Sequence, residues 1–151
     1  MQDLTARLRT ILVPVDGSEA SLEALSLACV AAKRNKGKVY VIYTITVHRS
    51  LPLDAQLQPE AERGEDVLSR AEAVADALDF EVQGELLQAR DAGHAIVDEA
   101  IERGVDSIFM GIEYTSPFGM FQLTDTAEYV LRHAPCEVWL CRHPVRGGEG
   151  R

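Results

Sequence analysis

Two stretches of the chain carry residue types suited to holding a ligand. In Pro14-Val15-Asp16-Gly17-Ser18 a carboxylate follows a β-branched apolar run and precedes a serine with helix-capping chemistry. An Asp so placed either takes a ligand's polar edge or serves as an ordinary turn residue. In Met110-Gly111 a glycine opens a long loop that ends at the helix start Thr124-Asp125-Thr126. Nucleophilic turnover has less support, because the three cysteines and four histidines show no spacing that sets a base beside a nucleophile. His133, Cys136, Cys141 and His143 hint at a metal site. Cys136 and Cys141, however, lie on one extended segment, roughly 16 Å apart at about 3.3 Å per residue, too far to share a tetrahedral ion. Cysteines on strands belong more often to the core, so the chemistry favoured is binding rather than turnover.

For the two stretches to meet, the chain must bring them to one end of a sheet. Thr10 to Val15 is a short β-branched strand, and from Glu19 to about Asn35 the residues Leu22, Leu25, Cys29 and Ala32 recur at helical steps, with Gly37 closing the helix. Lys38 to Val47 is nearly continuous in apolar and β-branched residues, as expected of a strand covered on both faces. The stretch 48–59 holds Pro52 and Pro59 and reads as a loop, before a helix from about Glu60 to Leu78. Phe80 to Leu87 is a third strand, and Asp91 can cap a helix with Ile96, Val97, Ala100 and Ile101 inward and Gly104 at its end. Val105 to Met110 makes strand four, Gly111 to Leu123 a loop, Thr124 to His133 a helix stopped by Pro135, and Glu137 to Cys141 strand five. Alternating strands and helices require long right-handed crossovers, hence five mainly parallel strands with four helices on both faces. In such open sheets ligands sit outside the carboxyl ends of the strands, where the winding reverses. Both stretches lie there.

Bulk properties fit a single domain. The 151 residues are 46% hydrophobic and 26% charged, and no apolar run approaches the roughly 20 residues that a membrane span needs. Met1 to Arg9 lacks the apolar core of a secretory signal, so a cytoplasmic protein with reduced thiols is expected. A net charge of −9 repels nucleic acid unless a basic stripe compensates for it. The densest cationic clusters, Arg7 and Arg9 and then Lys33, Arg34, Lys36 and Lys38, fall at helix ends and strand starts, where solvated charge is normal. No nucleic acid or membrane partner is expected.

Three segments are recognisable together: Val13-Pro14-Val15-Asp16-Gly17-Ser18-Glu19-Ala20-Ser21, then Gly104-Val105-Asp106-Ser107-Ile108-Phe109-Met110-Gly111, then Ala127-Glu128-Tyr129-Val130-Leu131-Arg132-His133-Ala134-Pro135-Cys136-Glu137-Val138. In order and spacing they resemble the universal stress protein family across residues 8–143, with 144–151 expected to be a disordered tail. The resemblance implies a flavodoxin-like, Rossmann-like three-layer sandwich with strand order 3-2-1-4-5. It also implies a homodimer joined through the last strand, here Val138, Trp139, Leu140 and Cys141. Some members of the family bind ATP through an acidic residue after strand one and a Gly-x2-Gly-x9-Gly-(Ser/Thr) signature after strand four; others lack the signature and do not.

Carried over, the signature is degenerate. Its first glycine is Gly111, but the second falls on Tyr114, the third on Thr124 and the hydroxyl position on Asp125. A Gly-x-Pro turn that helps to line the site in the family is here Arg90-Asp91-Ala92. Pro14, Val15, Asp16, Thr44, Met110 and Gly111 remain as expected cleft residues, with Thr44 near the adenine wall and Tyr114, Thr124, Asp125 and Thr126 on the phosphate side. Side chains at Tyr114 and Thr124 stand where backbone amides must approach phosphates, and Asp125 is expected to satisfy the free amides of the helix start itself. Its charge about 4 Å from a phosphate would cost on the order of 4 kcal/mol, against about 8 kcal/mol for a micromolar affinity. The expectation is a stress-response or regulatory binding protein, not an enzyme, with ATP affinity lost or weakened and no cofactor. Two alternatives stand: an ATP and Mg²⁺ binder acting as a nucleotide-controlled switch or slow ATPase, with Thr124 and Asp125 on the ion, and an adaptor whose aromatic loop at 112–121, including Phe118 and Phe121, docks a protein client. That loop is otherwise expected to close over the cleft or bury within the domain.

Overall fold

The computed structural model describes residues 5–116 and 119–144. The elements are β1 (Thr10–Pro14), α1 (Glu19–Arg34), β2 (Lys38–Thr46), α2 (Gln58–Ala77), β3 (Gln83–Ala89), α3 (Ala92–Arg103), β4 (Ser107–Ile112), α4 (Asp125–His133) and β5 (Glu137–Arg142). The sheet order is β3-β2-β1-β4-β5, with every neighbouring pair parallel. This is the expected three-layer arrangement.

The two-residue period of a strand sends alternate side chains to opposite faces, and the core divides accordingly. Ile11, Val13, Val39, Val41 and Phe109 pack under α1 and α2 with Leu25, Cys29, Val67 and Ala71. Leu12, Ile42, Ile108 and Met110 pack under α3 and α4 with Ile96, Val97 and Val130. Ile101, expected inward on α3, is 59% exposed, because its neighbours Val97 and Ala100 already fill the stripe facing the sheet. The middle of β1, Ile11 to Val13, therefore lies between two covered faces, which explains why those three residues are all apolar.

Several boundaries shift for identifiable reasons. Pro59 lies in the first turn of α2 rather than in the preceding loop, a place where its missing N–H has no intrahelical partner to lose. Phe80 does not begin β3. Its N–H donates to Ala75 O at 3.0 Å while Asp79 takes φ 53°, so it completes the terminating turn of α2, and the ladder starts at Gln83. At the end of α1 the left-handed residue is Lys36, φ 55°, and not Gly37. Gly37 is demanded by packing, since a Cβ there would stand 1.8 Å from Arg9 O. The expected tail, apart from Pro144, lies outside the described residues.

Candidate functional site

β1 and β4 pair only at Ile11–Ser107 and Leu12–Ile108, whereas β1 pairs β2 along its length and β4 does the same with β5. Past Leu12 the two central strands diverge. The connections leave them in opposite directions, so no helix fills the gap at their carboxyl ends. The result is a cleft of about 250 Å³, slightly below the roughly 300 to 1,000 Å³ usual for small-molecule sites.

Its floor is apolar, with Ile42, Ile96, Met110 and Ile112. Pro14, Val15, Asp16 and Ser21 form the β1 wall, Tyr43 and Thr44 reach in from β2, Ala92 from the start of α3, and Gly111, Thr124 and Thr126 close the β4 side. The turn after β1 is built by local chemistry. Asp16 Oδ1 accepts from Ser18 N at 2.9 Å, Gly17 takes φ 90°, and Ser18 Oγ accepts from Ser21 N at 3.1 Å to cap α1. One Asp16 oxygen is thus held by the turn and the other has no partner among the described residues. The hydroxyls of Thr44 and Thr126 are likewise unbonded among them. Asp16 supplies the cleft's only acidic group, and no Lys, Arg or His lines it among the described residues.

The β4 side departs from expectation in three ways. Gly111 lies within β4, not at the head of a loop, and a Cβ there would stand 1.9 Å from Ala20 O, so the glycine lets β4 pass the start of α1. Tyr114 does not line the cleft. Its ring stacks on Phe121 at 5.6 Å, and the Arg142 guanidinium lies 5.0 and 5.4 Å from the two ring centres. Asp125 is also absent from the lining, and the residue that caps α4 is Thr124, whose Oγ1 accepts from Ala127 N at 3.1 Å. The expectation that Asp125 satisfies those amides is therefore corrected: the N-cap position falls on Thr124, and the Asp125 carboxylate accepts no hydrogen bond among the described residues. Of the aromatic loop, Phe121 packs into the α3/α4 core and Met120 is 65% exposed, while Pro117 and Phe118 lie outside the described residues.

Sequence reasoning missed the contacts that fix this loop. Arg142 and His143 follow one another at the end of β5 and so reach opposite faces. Arg142 takes the aromatic pair. His143, 8% exposed, donates its backbone N–H to Ile112 O at 2.9 Å, and its Nδ1 lies 3.3 Å from Glu113 Oε2. Its Nε2 lies 2.9 Å from Glu23 Oε2 on α1, although the two are not aligned as a hydrogen bond. Glu113 Oε1 also accepts from Ala20 N at 3.4 Å. No spacing signal could have found this cluster, because its members come from three separate elements.

On the third wall, Asp91 caps α3 by accepting from His94 N at 3.0 Å and also meets His94 Nδ1 at 3.0 Å. These bonds, the side-chain one foremost, hold its carboxyl below the usual carboxylate range. The thiols offer no activated nucleophile: burial pushes Cys29 up to about 11, and raises Cys136 and Cys141 as well. Among the described residues no group of three His, Cys, Asp or Glu is placed to hold a metal ion, and no helix is long and apolar enough to cross a membrane. At the sheet edge Trp139 stacks on Phe109 at 5.2 Å, remains 38% exposed, and donates to Glu137 Oε1 at 2.9 Å. Val138 and Leu140 face the α3/α4 core, and Cys141 is half-buried.

A family model for the universal stress protein family matches residues 7–142. The chain belongs to that family. A universal stress protein of Methanocaldococcus jannaschii is 30% identical over 144 residues, covering 91% of this chain and 84% of the relative. The solved universal stress protein of Archaeoglobus fulgidus superposes with a TM-score of 0.76 at 24% identity, over 87% of this chain and 97% of that one. A structure of the Archaeoglobus fulgidus protein in complex with dAMP gives 0.72 at 22% identity, over 87% and 96%. At these identities the structures bear on the fold alone.

Proposed function

We propose that this protein is a regulatory binding protein of the universal stress family whose cleft takes an adenine nucleotide by its nucleoside part and holds a triphosphate poorly. The observation that carries this reading is the composition of the cleft. An apolar floor, the unshared oxygen of Asp16 and the hydroxyls of Thr44 and Thr126 suit an adenine and a ribose. Nothing comparable serves a polyphosphate, because no cation lines the cleft among the described residues and Thr124 already occupies an amide of the α4 start. The relative solved with dAMP supports the nucleotide class. On this reading weak triphosphate binding comes from missing donors, rather than from obstruction by Tyr114 and Thr124 and repulsion by Asp125 as expected from sequence.

The test is calorimetric titration of the nucleotide-stripped protein with AMP and with ATP, each with and without Mg²⁺. AMP is expected to bind at least about tenfold more tightly than ATP, a difference of about 1.4 kcal/mol. Tighter ATP binding that requires Mg²⁺ would replace this reading with the nucleotide switch. No heat with either would favour the adaptor reading, for which the exposed Met120 and Leu123 beside the aromatic pair are the supporting observation.

We also propose a homodimer through antiparallel pairing of β5 with its copy. β5 is an edge strand whose outer N–H and C=O groups call for cover, and Trp139 is half-exposed on it. Light scattering at micromolar concentration should give twice the 16.6 kDa chain mass, and a monomer there would refute the pairing.

A further inference from the structure

The pole opposite the cleft gathers positive charge that the sequence disperses. Arg9 enters β1, and Lys36-Gly37-Lys38 joins α1 to β2. Lys38 N donates to Arg9 O at 2.6 Å, and the bare Cα of Gly37 lies against the same carbonyl, so the two segments fuse into one surface. With Thr10, Tyr40, Arg103 and Asp106 they line an open basin of about 450 Å³.

The charges in this basin do not cancel. Arg103 is committed to Glu85 and Glu99 and lies 4.5 Å over the Tyr40 ring. Asp106 is held by backbone groups, its Oδ2 accepting from Arg9 N at 3.2 Å and Thr10 N at 2.8 Å, and its negative charge offsets one of the remaining cations. The exposed side chains of Arg9, Lys36 and Lys38 have no ion pair or hydrogen bond among the described residues. Three cations without an ion pair, against the one carboxylate of Asp106, thus leave the basin positive on a chain of net charge −9. The dipole of α1 favours Lys33 and Arg34 in its last turn, and Arg9, Lys36 and Lys38 lie beyond that turn. Lys36 moreover keeps a left-handed backbone, φ 55°, which Gly or Asn would adopt more readily.

We propose that this basin is a docking surface for a short acidic segment of a partner protein. A carboxylate-rich peptide can span three converging cations and stay within the local field. A nucleic acid continues well past the basin, where at a screening length of about 8 to 10 Å it meets the acidic remainder of the surface. The surface lies at the opposite ends of the strands from the cleft, so it does not depend on the nucleotide reading.

The test is fluorescence anisotropy with a fluorescein-labelled peptide carrying four consecutive glutamates. Binding should weaken between about 50 and about 200 mM salt, and the triple variant Arg9→Glu, Lys36→Glu, Lys38→Glu should lose at least about tenfold in affinity. Lys36→Gly is the second variant. It relieves the left-handed backbone, so its melting temperature should hold or rise while its peptide affinity falls about two- to threefold, a combination that loss of structure cannot produce. Full peptide affinity in the folded triple variant, or no anisotropy change at low salt, would overturn the proposal. A single-stranded oligonucleotide of equal charge that outcompetes the peptide would overturn it in favour of nucleic acid.

Discussion

On the β1 side of the cleft polar groups are left over, whereas on the β4 side all but the Thr126 hydroxyl are consumed by the protein itself. After β1, the turn uses one oxygen of Asp16 and leaves the other free, and Thr44 presents an unbonded hydroxyl beside it. After β4, Thr124 caps its own helix, Tyr114 stacks on Phe121 beneath Arg142, and Glu113 is shared between His143 and the start of α1. The two walls come from equally recognisable motifs, yet the β4 wall keeps one free hydroxyl, Thr126, against the Asp16 oxygen and the Thr44 hydroxyl across the cleft. Even Gly111, the signature position that survives, has a packing reason to be glycine that involves no ligand. A surviving motif residue is evidence for binding only when the fold itself does not require it.

The largest effect should come from testing that reading of Gly111. In Gly111→Ala the new Cβ would lie 1.9 Å from Ala20 O and 2.2 Å from Ala20 C, and neither backbone can retreat without moving α1 or β4. Overpacking of this kind costs about 1 to 3 kcal/mol, and more where backbone is the obstacle, which for a domain of this size lowers the melting temperature by about 2 to 12 °C. Thermal unfolding followed by circular dichroism measures it. A variant that melts with the wild type but has lost AMP binding would break the comparison, because the β4 glycine would then serve the ligand after all.

What the sequence makes legible follows from how local each signal is. The strand and helix alternation, the Ser18 and Asp91 caps and the Gly104 stop are set by residues within one turn of each other, and all occur where their chemistry puts them. Errors arise where tertiary contact selects among local options. Gly37 reads as a helix terminator, but the adjoining carbonyl of Arg9 claims it for close approach and leaves Lys36 to turn the chain. Tyr114, placed by the family signature, reads as an obstacle in the phosphate site, but Phe121 and Arg142 draw its ring to the other side of the loop. Asp125 misleads through a one-residue ambiguity at a helix start, where Thr124 and Asp125 are both capable caps. Asp16 and Thr44, which the family resemblance places at the cleft, line it beside Tyr43 and Ile42, which no motif marks. The residues of the β4 loop depend on β5, some 20 residues later in the chain.

The smallest effect concerns the third wall, where Arg90-Asp91-Ala92 replaces the family's Gly-x-Pro turn. Ala92 lines the cleft, and Asp91 holds the start of α3 through two bonds from His94. Those bonds favour the ionised carboxylate and lower its pKa in the folded state. A depressed carboxyl stabilises the fold at pH values above its ordinary titration near about 3.9, and that contribution disappears as pH falls through the lowered folded value. Asp91→Asn can still cap the helix but carries no charge. Urea midpoints measured from pH 6 down to pH 2.5 should therefore show the wild type above the variant near neutrality, with the gap closing in the acid range. The side chain is more than half exposed, so added salt should shrink the gap as well. Parallel curves across the whole range would mean that the third wall rests on capping geometry rather than on charge.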